Sequence, residues 1–394
     1  MRMMRTLRIQ EVLRVAAVVV LLLLGVAYVG KGMSFAWRGQ DCDHVSRAEE
    51  YASYESGVYP NKRLRVPGRE VATIHSVYPP YAFPMMGPYF WSGSREIDRV
   101  VLEVLSLGAV VVLAFQARAV LAGAGVELRL WGVLGLPLAF SGNLDGMAVG
   151  QFSMICMGLL GMQVMLQERG RVNAAGICWA LAMLKPHLAL PFAMLFPLQR
   201  QSRGLVVGLV VLGVMSGWAL WWTGVTPGAF WRGGPGTEKL TFVTVRYAAG
   251  LWVEYTGMPP RMASAAGLVV VALVVVAAGM ERVRERLGLL PAAGLSGLLA
   301  YVLFYHRSYD NVLLFPLWLV CLRGFAERPT VWAFVVFGAF GFTLYVPSIF
   351  LNFSDVLLVA TLVVPVAAAV LLWWRGQAGG LRERLRADRG EVSE

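Results

Sequence analysis

Long apolar stretches separated by short basic clusters constrain what this chain can fold into. Crossing a bilayer as a helix takes about 20 apolar residues, because backbone polar groups find no water there and must be satisfied within the helix. Of the 394 residues, 57% are hydrophobic and 15% are charged, whereas a soluble domain carries about 25% charged residues. The sequence therefore predicts an all-α integral membrane protein of about 11–12 membrane helices, with candidate spans at 12–33, 98–117, 129–145, 148–166, 172–185, 186–199, 204–223, 263–280, 289–306, 311–324, 330–350 and 355–374.

The placement of the basic residues predicts the orientation. The formal net charge is +11, but most Lys and Arg lie in short clusters between apolar runs, as the positive-inside rule describes, and do not form a nucleic-acid-binding face. All these clusters fall on one side of the predicted topology. We therefore expect a multi-pass protein of the plasma (inner) membrane with both termini in the cytoplasm, an uncleaved first helix and no nucleic-acid partner.

The segment 172–199 is interrupted by prolines and can be placed in two ways. A single span would put Arg171 and Arg200 on opposite sides of the membrane and would move the later basic cluster outside. Two short helices that meet near Lys185-Pro186 avoid this, because proline breaks a helix there. The sequence favours the second arrangement, a re-entrant pair.

The chain divides into one membrane domain and a tail. The membrane domain covers 1–375, with a first extracytoplasmic loop at 34–97 and a second at 224–262, and the basic cytoplasmic tail covers 376–394. The four cysteines give no disulfide framework, and the four histidines show no ligand spacing. No metal site is therefore predicted.

Two carboxylates, Asp41 and Asp43, follow the first span directly. A carboxylate at the outer interface is well placed to take a proton from a hydroxyl of a lipid-linked substrate. The alternative is an ordinary solvated acidic turn. The residues alone leave both interpretations open.

A second set of candidate residues lies at later helix breaks. Lys185 falls between apolar runs, where an ionisable group usually has a purpose, although its side chain could also snorkel to the interface. His187 follows it and belongs to the same pocket or caps the broken helix. His306 and Arg307 could bind a phosphate, with Asp310 orienting them, or this polar turn could satisfy its own helix ends.

Three polar side chains flank a turn predicted on the same external face. They are Asn143, Asp145 and Gln151. The amides could donate hydrogen bonds to sugar hydroxyls, or they could close the turn through Asx-type bonds. They are therefore candidate substrate contacts with a structural alternative.

A series of short motifs runs along the chain in a recognisable order. Asp41 and Ala48 are followed by Gly57-Val58-Tyr59-Pro60 and by Tyr78-Pro79-Pro80; then come Gly150-Gln151-Phe152-Ser153, Arg169-Gly170-Arg171, Ala175-Gly176 and Lys185-Pro186. This order resembles glycosyltransferase family 87, over roughly residues 12–325. That family consists of polyprenyl-phosphate-mannose-dependent alpha-mannosyltransferases and relatives within the GT-C superfamily.

The resemblance implies a fold, an activity and roles for individual residues. It implies a GT-C-type helical bundle with short helices in the first external loop. It also implies an inverting hexosyltransferase that moves a sugar, with mannose expected, from a polyprenyl-phosphate carrier to a lipid-linked or envelope glycan acceptor outside the membrane. Neither a cofactor nor a metal is implied, since the donor carries one phosphate. An aspartate followed seven residues later by alanine is the family's general base, which favours Asp41 and leaves Asp43 as the alternative, and Tyr78 is a candidate substrate contact.

Two other functions remain compatible with the sequence. A transporter or flippase of lipid-linked sugars would bind the same groups without chemistry, but it has little need of the long loop 34–97. A GT-C-type enzyme could also use another lipid-phosphate sugar. The partners expected in every case are membrane lipids and the lipid-phosphate sugar, and the sequence leaves the oligomeric state open.

Overall fold

A computed structural model describes residues 2–62, 64, 66, 68, 70, 72, 74, 76, 78–233, 260–304, 306–347, 361 and 363–372. The secondary structure elements of these residues are all helices, with no β-strand, which confirms the predicted all-helical class. The predicted tail (376–394) and most of the predicted second external loop (224–262) lie outside the described residues.

Most of the described helices follow one another with short connections, and residues 56–81 form a long one. In chain order they are α1 (Arg2–Phe35), α2 (Cys42–Glu55), α3 (Ala82–Phe90), α4 (Arg95–Ala122), α5 (Leu130–Leu138), α6 (Gly142–Val149), α7 (Ser153–Glu168), α8 (Val172–Ala182), α9 (Pro186–Ala189), α10 (Leu195–Leu198), α11 (Ser202–Thr223), α12 (Pro227–Gly233), α13 (Pro260–Ala278), α14 (Glu281–Arg284), α15 (Leu289–Leu303), α16 (Phe315–Glu327), α17 (Val331–Tyr345) and α18 (Val363–Leu372). Two 3-10 helices, Leu190–Met194 and Ser308–Leu314, lead into α10 and α16.

Four helical segments of the described chain are long and apolar enough to cross a membrane by themselves. They are Val15–Gly39, Arg95–Ala122, Ser202–Thr223 and Ser308–Glu327, and the pair α6 and α7, bent by 119°, makes a fifth. The other apolar helices have 10–17 residues. The structure thus bears out a helical membrane protein, while the full number of predicted membrane helices stays a prediction.

The exposed apolar side chains indicate where lipid would lie. Large side chains such as Val20, Leu23 and Val26 on α1 and Val210 and Val214 on α11 are exposed. Soluble proteins rarely expose such continuous apolar surface. The inner helices differ, because α7 is buried along most of its length and packs against α4 and α8.

The segment 172–199 returns to the end from which it starts. Helix α8 ends at Ala182, a turn carries Lys185, and α9 begins at Pro186. Arg171, before α8, and Arg200, after α10, line the same cavity. The predicted re-entrant pair is therefore confirmed, and it places Lys185 at the far tip of the hairpin.

The predicted span 129–145 is wrong as a continuous helix. The chain leaves its helical path between Leu138, where α5 ends, and Gly142, where α6 begins. The Asn143 Nδ2 group donates to the carbonyls of Pro137 and Leu138 at 2.8 Å each. Backbone groups that the break would leave without partners are thus satisfied by a buried side chain.

Candidate active site

Asp41 lies at the junction of α1 and α2, buried beneath two arginines. Gly39 has a φ of 87°, a left-handed conformation that glycine adopts without strain and that turns the chain out of α1. The Asp41 carboxylate pairs with Arg99, at 2.8 Å between Oδ2 and Nη1, and with Arg95. These contacts fix the start of α2 onto α4.

The surroundings of Asp41 favour its charged form. Burial by itself would raise the pKa of this carboxyl, but the hydrogen bond from Arg95 and the charge of Arg99 outweigh burial and hold the pKa below its ordinary value. A carboxylate whose oxygens are both engaged by guanidinium groups is a poor proton acceptor. Asp41 is therefore suited to anchoring the loop.

Asp43 is half-buried and is held by an amide. Gln151 Nε2 donates to Asp43 Oδ2 at 2.5 Å, across 108 residues of sequence. Within the part of the chain that the structure describes, no lysine or arginine forms an ion pair with Asp43. Of the two candidate carboxylates, Asp43 keeps an oxygen free of basic partners.

Lys185 is buried at the tip of the re-entrant hairpin, and its charge is matched within the protein. Its Nζ donates to Asp310 Oδ1 at 3.1 Å and to Ser153 Oγ at 2.7 Å, and it lies 4.7 Å from the centre of the Tyr309 ring. The Ser153 hydroxyl in turn donates to Asp310 Oδ1 at 2.6 Å. Because an ammonium group has three donors, these two hydrogen bonds leave one N–H for a ligand.

Asp310 also organises the polar turn before α16. Its Oδ2 accepts the backbone N–H of Arg307 at 2.9 Å, and its own N–H donates to the Arg307 carbonyl at 2.8 Å. The Arg307 side chain is exposed, whereas His306 is buried with its ring 3.9 Å from that of Tyr301. The half-buried His187 lies within electrostatic range of Asp310, Lys185 and His306.

The segment Gln151-Phe152-Ser153 joins the acidic group to the basic one. Gln151 holds Asp43, and Ser153, two residues on, holds Lys185 and Asp310. Gly150 precedes the segment with a φ of 76°, and a side chain there would clash with His44 of α2. The turn between α6 and α7 therefore packs closely on α2 and brings the two groups together.

The remaining predicted contacts differ in their surroundings. Both amide N–H groups of Asn143 donate to carbonyls at the break between α5 and α6, so this side chain has no N–H left to donate to a sugar. The Asp145 carboxylate accepts a hydrogen bond from Ser308. Tyr78 lies under the Arg47 guanidinium, whose carbon is 4.8 Å from the ring centre.

Sequence reasoning missed several charged residues around the site. Arg99 bonds Glu103 at 2.9 Å, one helical turn away, as well as Asp41 and the Met147 carbonyl. Two charges four residues apart in the apolar helix α4 are an unusual pattern that could have identified them. The sequence does not mark Arg95 in this way, because it lies at the start of α4, where charged residues are common.

A further missed residue, Glu50, is buried inside the first external loop. It accepts a hydrogen bond from Ser76 Oγ at 2.9 Å and pairs with Arg47 at 2.9 Å. Burial raises the pKa of Glu50 to about 7 even though Arg47 and Ser76 act to lower it. Nothing in the sequence distinguished Glu50 from its exposed neighbour Glu49.

The described residues contain no group of three or more His, Cys, Asp or Glu side chains arranged to hold a metal ion. The cationic side chains Lys185 and Arg307 are the groups of the site suited to an anion. The arrangement combines a half-buried carboxylate with a buried ammonium group. It can accept a proton at one point and bind a phosphate at another.

Comparison with known protein families gives a match. The sequence model of glycosyltransferase family 87 matches residues 77–305, more than half of the 394-residue chain. The matched range includes Gln151 and Lys185 and ends just before His306, while Asp41 and Asp43 lie ahead of it. No curated protein and no solved structure matches the chain.

Proposed function

The chain belongs to glycosyltransferase family 87, and we propose that it transfers mannose from a polyprenyl-phosphate carrier to a hydroxyl of a lipid-linked or envelope glycan. The transfer takes place on the outer face of the plasma membrane, with both termini in the cytoplasm. One observation carries the proposal: the Gln151-Phe152-Ser153 segment holds the proton acceptor Asp43 and the cation Lys185 at neighbouring points.

In the proposed reaction Asp43 is the general base. It takes the proton from the acceptor hydroxyl as that oxygen attacks the anomeric carbon of the sugar. Gln151 orients Asp43 through the 2.5 Å hydrogen bond. Asp41, favoured by the family spacing, becomes a positioning residue, because Arg95 and Arg99 occupy its oxygens.

The leaving group is the lipid phosphate. The bond between the anomeric carbon and the phosphate oxygen breaks as the new carbon–oxygen bond forms on the opposite face, and the configuration inverts. The departing phosphate gains negative charge, which the remaining N–H of Lys185 and the exposed Arg307 would stabilise. One oxygen of Asp310 holds the Lys185 ammonium group, and the other accepts the backbone N–H of Arg307.

The polyprenyl tail would lie against exposed apolar helix faces, and the sugar would lie near Asp43. His187 lies within electrostatic range of Lys185 and His306, and these two histidines are the proposed further donors to the phosphate. Tyr78, in the loop above, is the proposed contact to the acceptor. A single phosphate needs only such cationic and polar side chains, so the proposal includes no metal.

A transfer assay tests the function. The purified chain in lipid nanodiscs is incubated with radiolabelled polyprenyl-phosphate-mannose and a cell lipid extract, and parallel reactions contain carriers of other sugars. We expect a new labelled glycolipid with the mannose donor. A labelled donor that crosses vesicle membranes intact without forming any product would contradict a transferase and indicate a flippase.

A further inference from the structure

A cavity with three arginines in its lining lies at the opposite end of α7 and α8 from Lys185. Its volume is about 530 Å³, and it is lined by Gly170, Arg171, Val172, Asn173, Ala174, Arg200, Gln201 and Arg203. Helix α7 has 16 residues and is therefore about 24 Å long, which separates this cavity from Ser153 and the proposed active site. We call it the arginine cavity.

Two helices begin at the arginine cavity. Helices α8 and α11 cross so closely that a side chain on Gly176 would clash with the carbonyl of Gly204, so their first turns lie side by side. Neither helix has a side-chain cap or an acidic residue in its first turn. In these first turns the N–H groups of Val172 and Gly204 donate to the carbonyls of Gly170 and Gln201. The positive ends of both helix dipoles meet at one place, and neither first turn contains a carboxylate.

The side chains of the cavity add positive charge to these helix ends. Arg171 and Arg203 are exposed and form no ion pair anywhere in the described part of the chain. Arg200 pairs with the exposed carboxylate of Glu281 at 3.4 Å. Positive side chains close to the positive ends of helix dipoles are destabilising, and a bound anion would offset this repulsion.

The backbone of Arg200 supplies an independent indication. Its φ of 56° is the left-handed conformation, and among the described residues it is the only one other than glycine with a positive φ. Gly170 and Gly224 occupy the corresponding position after α7 and α11. An arginine in a place that suits glycine indicates a use for its side chain in the cavity.

Two further features indicate what kind of anion fits. The Gln201 Oε1 atom is buried and has no hydrogen-bond partner among the described residues, so it can accept a hydrogen bond from a hydroxyl next to the anion. Val206 and Val210 on α11, beginning one turn beyond Arg203, are exposed apolar side chains against which acyl chains can lie. Anionic phospholipids are concentrated on the cytoplasmic leaflet, where the basic clusters are predicted to lie.

We propose that the arginine cavity binds a phosphate group that carries a neighbouring hydroxyl, as in the headgroup of an anionic glycerophospholipid. The guanidinium groups of Arg171 and Arg203 bind the phosphate oxygens, together with backbone N–H groups of α8 and α11. Gln201 accepts from the hydroxyl. The site is separate from sugar transfer and would be occupied whether or not a sugar donor is present.

Thermal unfolding of the purified full chain, followed by the fluorescence of its 13 tryptophans, tests the proposal. The chain is titrated with phosphatidylglycerol, with phosphatidylcholine and, separately, with inorganic phosphate. Phosphatidylglycerol should raise the unfolding temperature by several degrees over phosphatidylcholine. A matching shift with inorganic phosphate would identify a free phosphate as the natural ligand, and a shift with the lipid alone would identify a headgroup.

Two double variants locate the effect. In R171Q/R203Q, binding of phosphatidylglycerol should weaken roughly fivefold for each arginine removed. The control R118Q/R129Q removes two exposed arginines from the same end of the helices, outside the cavity, and should titrate like the wild type. Equal weakening in both variants would overturn the proposal. The proposal would also be overturned if both lipids shifted the unfolding temperature of the wild type equally and inorganic phosphate did not shift it. This result does not depend on how the variants fold.

Discussion

The Lys185 ammonium group and the Asp310 carboxylate form a buried ion pair, with 3.1 Å between Nζ and Oδ1 and 125 residues between them in sequence. Both side chains are almost fully inaccessible, at 5% and 2% exposure. A lysine alone at membrane depth would be unfavourable, and its pairing explains why it can remain there. The pair also joins the re-entrant hairpin to the turn before α16.

Breaking this pair from one side should destabilise the protein. K185M or D310N leaves one buried charge without its partner, and we expect a loss of about 3–5 kcal/mol in the free energy of unfolding. The double variant K185M/D310L should regain most of that stability, because neither charge is left unpaired. Its sugar transfer should stay absent, since the buried cation that would stabilise the departing phosphate is gone. Thermal unfolding and initial rates check both expectations, and full transfer by the double variant would show that the pair is only structural.

The two arginines on Asp41 should contribute very differently to stability. Arg99 is buried between Asp41 and Glu103, so R99M removes the buried partner of two carboxylates and should cost about 3–5 kcal/mol. The Arg95 side chain is 51% exposed, and R95Q should change stability by no more than about 1 kcal/mol. Unfolding of the two variants in the same detergent gives the comparison. Equal losses would mean that Asp41 is not anchored mainly by Arg99.

Glu50 should make stability depend on pH. Its pKa in the folded protein is raised to about 7 from 4.5, so between these values the folded state keeps a proton that the unfolded state has lost. Stability should therefore fall as the pH rises from about 4.5 to about 7, by on the order of 2–3 kcal/mol. E50Q cannot ionise and should lack this part of the pH dependence. Unfolding temperatures of both proteins across that range provide the measurement, and parallel curves would contradict the assignment.

Arg200 should carry a stability penalty that glycine removes. Left-handed backbone costs a side-chain-bearing residue about 1 kcal/mol relative to glycine. We therefore expect R200G to unfold at a higher temperature than the wild type in phosphatidylcholine. R118G, at an exposed helical position on α4, is the matched control and should be destabilised by about 1 kcal/mol. A lower unfolding temperature for R200G would mean that its contact with Glu281 outweighs the backbone strain.

Local patterns allowed part of this structure to be predicted. Apolar runs identified the helical membrane class, and the proline after Lys185, together with the arginines on either side, predicted the re-entrant hairpin. Helix ends that depend on tertiary contacts were harder to predict, as the break in 129–145 shows. The Asn143 side chain stabilises that break, and the apolar pattern of the sequence does not indicate it. The continuous span predicted there was wrong for this reason.

The candidate site was predictable in its residue types and less so in its pairings. Asp43, Gln151 and Lys185 were all selected from the sequence, but Asp310 lies 125 residues from its partner Lys185, and Arg95 lies 54 residues from its partner Asp41. The spacing of residues within a motif does not indicate contacts between residues that are so far apart in sequence. The choice between Asp41 and Asp43 therefore needed the tertiary structure, which shows one carboxylate enclosed by guanidinium groups and the other half-buried beside an amide.

The most direct test of Asp43 as the general base compares D43N with D41N. The initial rates of mannose transfer are measured at equal amounts of folded protein. Loss of a general base lowers the rate by about 10²–10⁴-fold, and we predict a loss of that size for D43N with its unfolding temperature unchanged. D41N should be less stable than the wild type, but it should still transfer mannose at a measurable rate under conditions in which it is folded. Full activity in D43N, together with an inactive but folded D41N, would contradict the assignment and make Asp41 the base.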